Sequence, residues 1–261
     1  MPSLQALHAA RSLQGRRAIV TGAAGGMGRA TARVLAAEGV HVAVVDLNGV
    51  GAEAAAQEIR DAGGQAQAWA LDVADAQAVS RVVKQIAAAL GGLDILVNNA
   101  GISVRRPIDD AGYAAGWEHA LAVMLTGPMQ MVRAALLHLR RSDAARIVNI
   151  ASTEALGATA GHSPYSAAKA GVTGLTRSLA VELGRERITV NCICPGPIRT
   201  PMTDAVPEEH KTIFAKRRTA LARYGEPEEV AHVTVSLCLP AASYITGAVI
   251  PVDGGLMARN A

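Results

Sequence analysis

The sequence predicts an α/β protein: a doubly wound parallel β-sheet with helices on both faces, in one domain over residues 1–261. Three observations carry that expectation. Short β-branched runs alternate with Ala-rich helical patterns from end to end, which implies crossover connections and a sheet covered on both sides. A glycine-rich turn separates the first run from the first helical pattern, and an acidic residue closes the second run. No linker-like, low-complexity or repeated segment interrupts the alternation.

Taken in order, the β-branched run Arg17 to Thr21 reads as a strand, and the amphipathic pattern Met27 to Glu38 as the helix after it. The same two periodicities then repeat. Strand His41 to Val45 precedes helix Val50 to Ala62, strand Gln67 to Leu71 precedes helix Ala76 to Leu90, and strand Asp94 to Val97 precedes helix Gly116 to Arg140. Strand Arg146 to Ala151 leads to helix Tyr165 to Gly184, strand Ile188 to Cys194 to helix Pro227 to Leu237, and Ala248 to Val252 is the last strand. Residues 1–15 are read as an N-terminal arm and residues 198–224 as a lid.

Composition narrows the function classes. Hydrophobic residues make up 50% with mean hydropathy +0.22, yet the best span candidate, Ala120 to Leu139, is broken by Pro128 and Arg133, so no membrane partner is expected. Met1 to Arg17 carries no apolar stretch followed by a small-residue cleavage site, and a cytoplasmic location is expected. A net charge of +3 with scattered basic residues argues against nucleic acid, the trio Lys216-Arg217-Arg218 reading as a solvated face. Cys192 and Cys194 share one strand face and would offer two thiolates to a metal, but no second pair has ligand spacing; buried thiols and no metal site are expected. Ala120 to Leu139 and Tyr165 to Leu183 are apolar or small around most of their circumference, more than a sheet-facing stripe needs. A symmetric homo-oligomer packed through them is expected, with cover from the same chain as the alternative.

Thr21-Gly22-Ala23-Ala24-Gly25-Gly26-Met27-Gly28 joins the first strand to the first helix. Gly22 suits a tight turn, Gly26 admits a pyrophosphate close to backbone, and Gly28 lets the helix pack on the strand with its N-terminus toward the anion. Asp46, eighteen residues after Gly28, can accept hydrogen bonds from ribose hydroxyls. Neither Gly25 nor Leu47 supplies the cation a phosphorylated ribose wants, so NAD is the expected cofactor rather than NADP. Tyr165 and Lys169, at i and i+4, share a helix face where the ammonium can favour the ionised phenol. Ser152 follows a strand at the carboxyl edge of the sheet and can hold a substrate oxygen.

With Thr21-Gly-x-x-x-Gly26-x-Gly28, Asp72-Val73, Asn98-Asn99-Ala100-Gly101, Ser152, Tyr165-x-x-x-Lys169, Asn191, Pro195-Gly196, Thr200 and Asp253-Gly254-Gly255, the chain resembles the short-chain dehydrogenase/reductase family over essentially its whole length. The resemblance implies a Rossmann-type fold and a homotetramer. It implies that Asp72 and Val73 border the adenine, that Asn98, Ala100 and Gly101 line the adenosine side, and that Thr21, Met27 and Leu47 belong to the cofactor site. Ser152 would orient the substrate oxygen, Tyr165 would be the acid or base, and Lys169 would lower the Tyr165 pKa while binding ribose hydroxyls. Pro195, Gly196, Ile198 and Thr200 would position the nicotinamide. One position departs: Met124 stands where the family usually has an Asn that supports a water-linked proton relay.

Substrate choice is expected of Ile102 to Gly116, Thr153 to Pro164 and the lid. There Arg105, Arg106, His162 and Arg199 are candidates for an anionic or polyhydroxylated substrate, or are loop cations with no such duty. Phe214 is the only Phe, so no flat aromatic platform is advertised. The expected function is an NAD(H)-dependent oxidoreductase interconverting a secondary alcohol or sugar hydroxyl and its carbonyl. The alternatives are a 3-oxoacyl thioester reductase and a dinucleotide-sensing protein without turnover.

Overall fold

The structure is a computed structural model that describes residues 3–259, so the first two residues of the expected arm lie outside the described residues. Seven strands, β1 (Arg17–Thr21), β2 (His41–Asp46), β3 (Gln65–Ala70), β4 (Ile95–Asn98), β5 (Arg146–Ile150), β6 (Thr189–Pro195) and β7 (Val249–Val252), form one sheet in the order β3-β2-β1-β4-β5-β6-β7. Every pairing is parallel. The helices are α1 (Leu4–Ala9), α2 (Gly26–Ala37), α3 (Gly49–Asp61), α4 (Ala76–Ala89), α5 (Tyr113–Leu121), α6 (Gly127–Leu139), α7 (Ser163–Leu183), α8 (Glu208–Arg218) and α9 (Pro227–Cys238).

Alternation along the strands divides the core between two faces. Val20, Val42, Val97 and Val148 cluster with α2, α3 and α9, whereas Ile19, Val45, Leu96, Ile147 and Val190 cluster with α4, α6 and α7. Strands buried on both faces read as continuous apolar runs, which is why each expected strand lies within two residues of an observed one. The order reverses at β1, which is flanked by β2 and β4, so the carboxyl ends of β1 and β4 border a crevice. β7 is an edge strand and tolerates Pro251 because one side of it needs no ladder donor.

Three features differ from the sequence expectation. The helix expected over 116–140 begins at Tyr113 and passes through a π turn at Ala122–Thr126. Pro128 has no N–H to give to the carbonyl four residues back, that of Met124, and the turn before it is wider, with the Gly127 N–H bonded to the Ala122 carbonyl. Second, Tyr113–Leu139 is long and apolar enough by length and composition to cross a bilayer, despite Pro128 and Arg133. It packs as a core helix: Met131, Val132, Ala135 and Leu139 are buried in the cluster that contains α4 and the sheet. Third, α1 and α8 carry no apolar stripe that would announce them. α8, inside the expected lid, buries only Lys211 and Ala215, and α1 buries none of its residues. The chain beyond α1 is fastened by the buried Leu13 and by the bond from the Ala241 N–H to the Ala10 carbonyl, 2.7 Å.

Candidate active site

The crevice holds a groove of about 240 Å³ lined by Gly22, Gly25, Gly26, Met27, Asp46, Asn99, Gly101, Ile150, Ala151, Tyr165, Lys169, Thr200, Pro201 and Met202. Strand β1 delivers the glycine loop to one wall, β5 ends in the other, and α7 lays Tyr165 and Lys169 along it.

The loop is shaped by close approach. Gly22 has φ +65°, and a Cβ there would stand 2.8 Å from the Ala100 Cα. A Cβ on Gly28 would strike the Gly22 carbonyl oxygen and stand 2.5 Å from Asn99 Nδ2, so α2 packs on the strand only with glycine there. Gly25 caps α2 without a side-chain hydrogen bond, which leaves the helix N-terminus open to an anion. Thr21 and Asn99 hold the loop to the end of β4. Thr21 Oγ1 accepts from the Asn99 and Ala100 N–H groups, both at 3.0 Å, and Asn99 Nδ2 donates to the carbonyls of Thr21 at 3.0 Å and Gly22 at 3.1 Å. Asp46 accepts from the Ala24 N–H at 3.0 Å and the Asn48 N–H at 2.9 Å, so its carboxylate is fixed beside the loop. A Cβ on Gly26 would meet the Thr200 side chain at 3.3 Å, so the start of the lid faces the loop across the groove.

At the other end Lys169 is buried, its Nζ donating to the Ile150 carbonyl at 2.9 Å and lying 5.7 Å from the centroid of the Tyr165 ring. Burial brings its pKa down to about 8. Burial pushes the Tyr165 phenol up, and a hydrogen bond with Ser152 opposes that rise. Ser152 Oγ also accepts from the Glu154 N–H at 3.1 Å, which frees its own proton for donation. The Glu154 carboxylate accepts from the Thr159 N–H at 2.9 Å, Thr159 Oγ1 at 2.7 Å and Ser166 Oγ at 3.0 Å, binding the loop after Ser152 to the first turns of α7. A proton can therefore pass between Tyr165 and a hydroxyl held by Ser152.

Of the expected cofactor residues, Gly22, Gly26, Met27, Asp46, Gly101 and Thr200 line this groove with Tyr165 and Lys169. Others stand behind it or beyond it. Asn98 is buried, its Nδ2 donating to Asn149 Oδ1 at 2.8 Å, so its amide serves the core while its neighbour Asn99 reaches the loop. Thr21 and Gly28 act as supports, as described. Gly196 backs onto Asp253, whose Cα would stand 2.7 Å from an added Cβ, and Pro195 and Ile198 are buried. Asp72 turns its carboxylate back to the Ala74 N–H at 2.8 Å, Val73 packs against Gly127, and Leu47 is exposed. The sequence reading missed Asn99, Ile150, Ala151, Pro201 and Met202 as groove residues. For Asn99 the signal was present in the Asn98-Asn99 pair, since two neighbours on a strand end point to opposite faces.

Met124 is buried, and the point where a Gly101 Cβ would stand lies 3.8 Å from its sulfur and 3.5 Å from Lys169 Nζ. The thioether and the ammonium thus border the same point beside Gly101. Cys192 and Cys194 are free and buried, and no metal-ligating group exists among the described residues.

Residues 22–257 match the family model described as enoyl-(acyl carrier protein) reductase. The cis-4-hydroxycyclohexanecarboxylate dehydrogenase of Sinomonas cyclohexanicum is 40% identical over 93% of this chain and 97% of its own. The chain belongs to the short-chain dehydrogenase/reductase family. This short-chain dehydrogenase/reductase is also 39% identical to the 3-oxoacyl-(acyl-carrier-protein) reductase FabG of Aquifex aeolicus, over 94% of this chain and 98% of that one. A crystal structure of a dehydrogenase/reductase from Sinorhizobium meliloti superposes with a TM-score of 0.91 at 39% identity, covering 99% of this chain and 100% of the other. The protein is therefore an oxidoreductase of the nicotinamide-dinucleotide type with the Rossmann-type fold.

Proposed function

We propose that the protein is an NAD-dependent dehydrogenase of secondary alcohols, with Ser152, Tyr165 and Lys169 as its catalytic residues. The observation that carries the reading is that Tyr165, hydrogen-bonded to Ser152, and Lys169 line the same groove as the fixed carboxylate of Asp46. A dinucleotide fits the residues present: Gly22, Gly25 and Gly26 line the groove without side chains, and the α2 N-terminus is open to a pyrophosphate. The cofactor supplies the acceptor, or in reverse the donor, of a hydride. Tyr165 takes the hydroxyl proton as the carbinol is oxidised and returns it in reduction, Ser152 donates to the substrate oxygen, and the Lys169 ammonium favours the phenolate and meets ribose hydroxyls. Asp46, Leu47, Asp72 and Val73 border the adenosine, and Pro195, Gly196, Ile198 and Thr200 stand on the nicotinamide side. One domain, a homotetrameric assembly and a cytoplasmic location complete the reading, the three free thiols being compatible with a reducing compartment.

A carboxylate at Asp46 repels a ribose phosphate, so kcat/KM favours NAD over NADP by at least about tenfold, or about 1.4 kcal/mol, and Asp46→Ala shrinks the gap. Steady-state kinetics with both cofactors and a panel of polyols, hydroxy acids and hydroxysteroids tests this; equal efficiency in the unmutated protein overturns it. A second reading, reduction of a 3-oxoacyl thioester, is supported by the likeness to FabG. It requires turnover of acetoacetyl thioesters with NADPH at a higher kcat/KM than any alcohol shows with NAD.

A further inference from the structure

We propose that Arg105 is the carboxylate anchor of the substrate site, so that the substrates are hydroxy acids, or the oxo acids they interconvert with, whose anionic group sits on the carbon skeleton being oxidised. This rests on the dehydrogenase reading above and adds the substrate class. Three arginines, Arg105, Arg106 and Arg199, stand exposed on the segments expected to choose the substrate, and the structure separates them. Arg199 Nη1 is 2.9 Å from both oxygens of Glu208, and its Nε is 3.5 Å from Glu226. Arg106 lies 3.8 Å from Asp110. Arg105 has no carboxylate partner among the described residues, yet its place is defined. The Arg106 N–H donates to the Gly161 carbonyl at 2.7 Å, tying this segment to the start of α7. Arg105 itself lies over Gly161, its Nε 3.6 Å and Cγ 3.7 Å from where a Cβ would stand. Gly161 has φ +78°, and the bare backbone there leaves that path to the arginine stem.

The next residue, His162, sets its ring edge-on to Tyr165 with centroids 6.4 Å apart. A planar guanidinium thus hangs one residue from the aromatic pair that flanks the reacting hydroxyl. The site also carries apolar side chains: Met202 lines the groove, and the Met257 Cε lies 3.6 Å from where a Gly157 Cβ would be, in the loop after Ser152. An apolar skeleton with a carbinol at one end and a carboxylate at the other matches this order, and the guanidinium fork can bind the carboxylate through two parallel bonds. A carrier thioester would also bring an anion, its phosphate, but at the end of a long arm; Arg105 lies against Gly161, two residues before the helix that bears the acid/base pair, and so reads the skeleton.

The test compares hydroxy acids with their methyl esters, using 4-hydroxycyclohexanecarboxylate and 3-hydroxybutyrate, in the protein with NAD. The acids have a kcat/KM at least tenfold above the esters, and Arg105→Gln collapses that ratio, mostly through KM, whereas Arg106→Gln leaves it. Acid and ester used equally well, or a ratio unchanged in Arg105→Gln, overturns the proposal. Better turnover of 3-hydroxybutyryl-CoA than of the free acid, with the Arg105→Gln loss confined to the CoA ester, assigns the arginine to a phosphate and also overturns it. If no alcohol reduces NAD, the dehydrogenase reading fails; calorimetric titration of cyclohexanecarboxylate into the NAD-loaded protein then decides Arg105 separately. Binding weakened at least tenfold by Arg105→Gln supports the anchor, and no binding, or binding equal in the two, ends it.

Discussion

At the scale of single residues the buried Lys169 is the most consequential choice in the chain. Burial, partly opposed by Cys192 and Cys194, brings its pKa from 10.5 to about 8, so the folded state holds its proton less tightly than the unfolded chain. The sign follows: between those values the unfolded state binds more protons, and this group's contribution to stability is full above 10.5 and lost as pH falls through about 8. Lys169→Met should therefore stabilise the cofactor-free protein at pH 7 by up to about 3 kcal/mol while abolishing turnover. Urea titrations of the two proteins at pH 7 and near pH 10.5 check it, the difference shrinking toward the alkaline end; a destabilised variant at pH 7 would count against the assignment. Tyr165→Phe removes only the transferable proton, so kcat falls by about 10² to 10⁴ and NAD affinity changes less than about threefold. Retention of a tenth of the kcat would move the acid/base role elsewhere. Because oxidation needs the phenolate and burial pushes the phenol up, kcat/KM for oxidation should rise with pH in the alkaline range and that for reduction should fall.

At the scale of elements, the helical stretch Tyr113–Leu139 shows how one proline reshapes a site. Pro128 cannot pair with the Met124 carbonyl, the turn before it is a π turn, and this lies where the side chains of residue 124 and Lys169 border the same point beside Gly101. The carbonyl at position 124 thus lacks its α-helical partner whatever its side chain, and a water route for protons can use backbone there. Met124 then serves as packing. On that account Met124→Asn changes kcat by less than about tenfold, or about 1.4 kcal/mol. A larger gain together with loss of a solvent isotope effect would mean that proton egress through this position limits the natural protein.

At the scale of the whole molecule, several apolar residues remain uncovered by the chain itself. Leu137 on α6 is 60% exposed, Val181 on α7 84%, and Tyr244, just before the edge strand β7, is fully exposed. These are the two helices whose sequence is apolar around most of its circumference, and β7 keeps one free edge. The proposed tetramer predicts a solution mass about four times the 26.8 kDa of the chain by light scattering, and smaller species for Val181→Glu. A monomer at micromolar concentration would refute it.

The sequence by itself determined the sheet and its parallel sense, and it named Gly22, Gly26, Asp46, Tyr165 and Lys169, which the fold brings to one groove. Central strands are buried on both faces and so spell themselves as apolar runs, and the glycine loop and the Tyr165 to Lys169 spacing are local facts of chain geometry. What depends on partners distant in the chain was not legible. α8 folds without an apolar stripe, the π turn appears only where Pro128 meets a long helix, and Asn98 and Asn99 divide between core and groove according to the strands beside them. Of the three loop arginines, the sequence could not say which was spent; Glu208, Glu226 and Asp110 reach Arg199 and Arg106 in the folded chain and leave Arg105 over Gly161. Ion pairing and burial are properties of neighbours in space, and only the tertiary structure decides which neighbours those are.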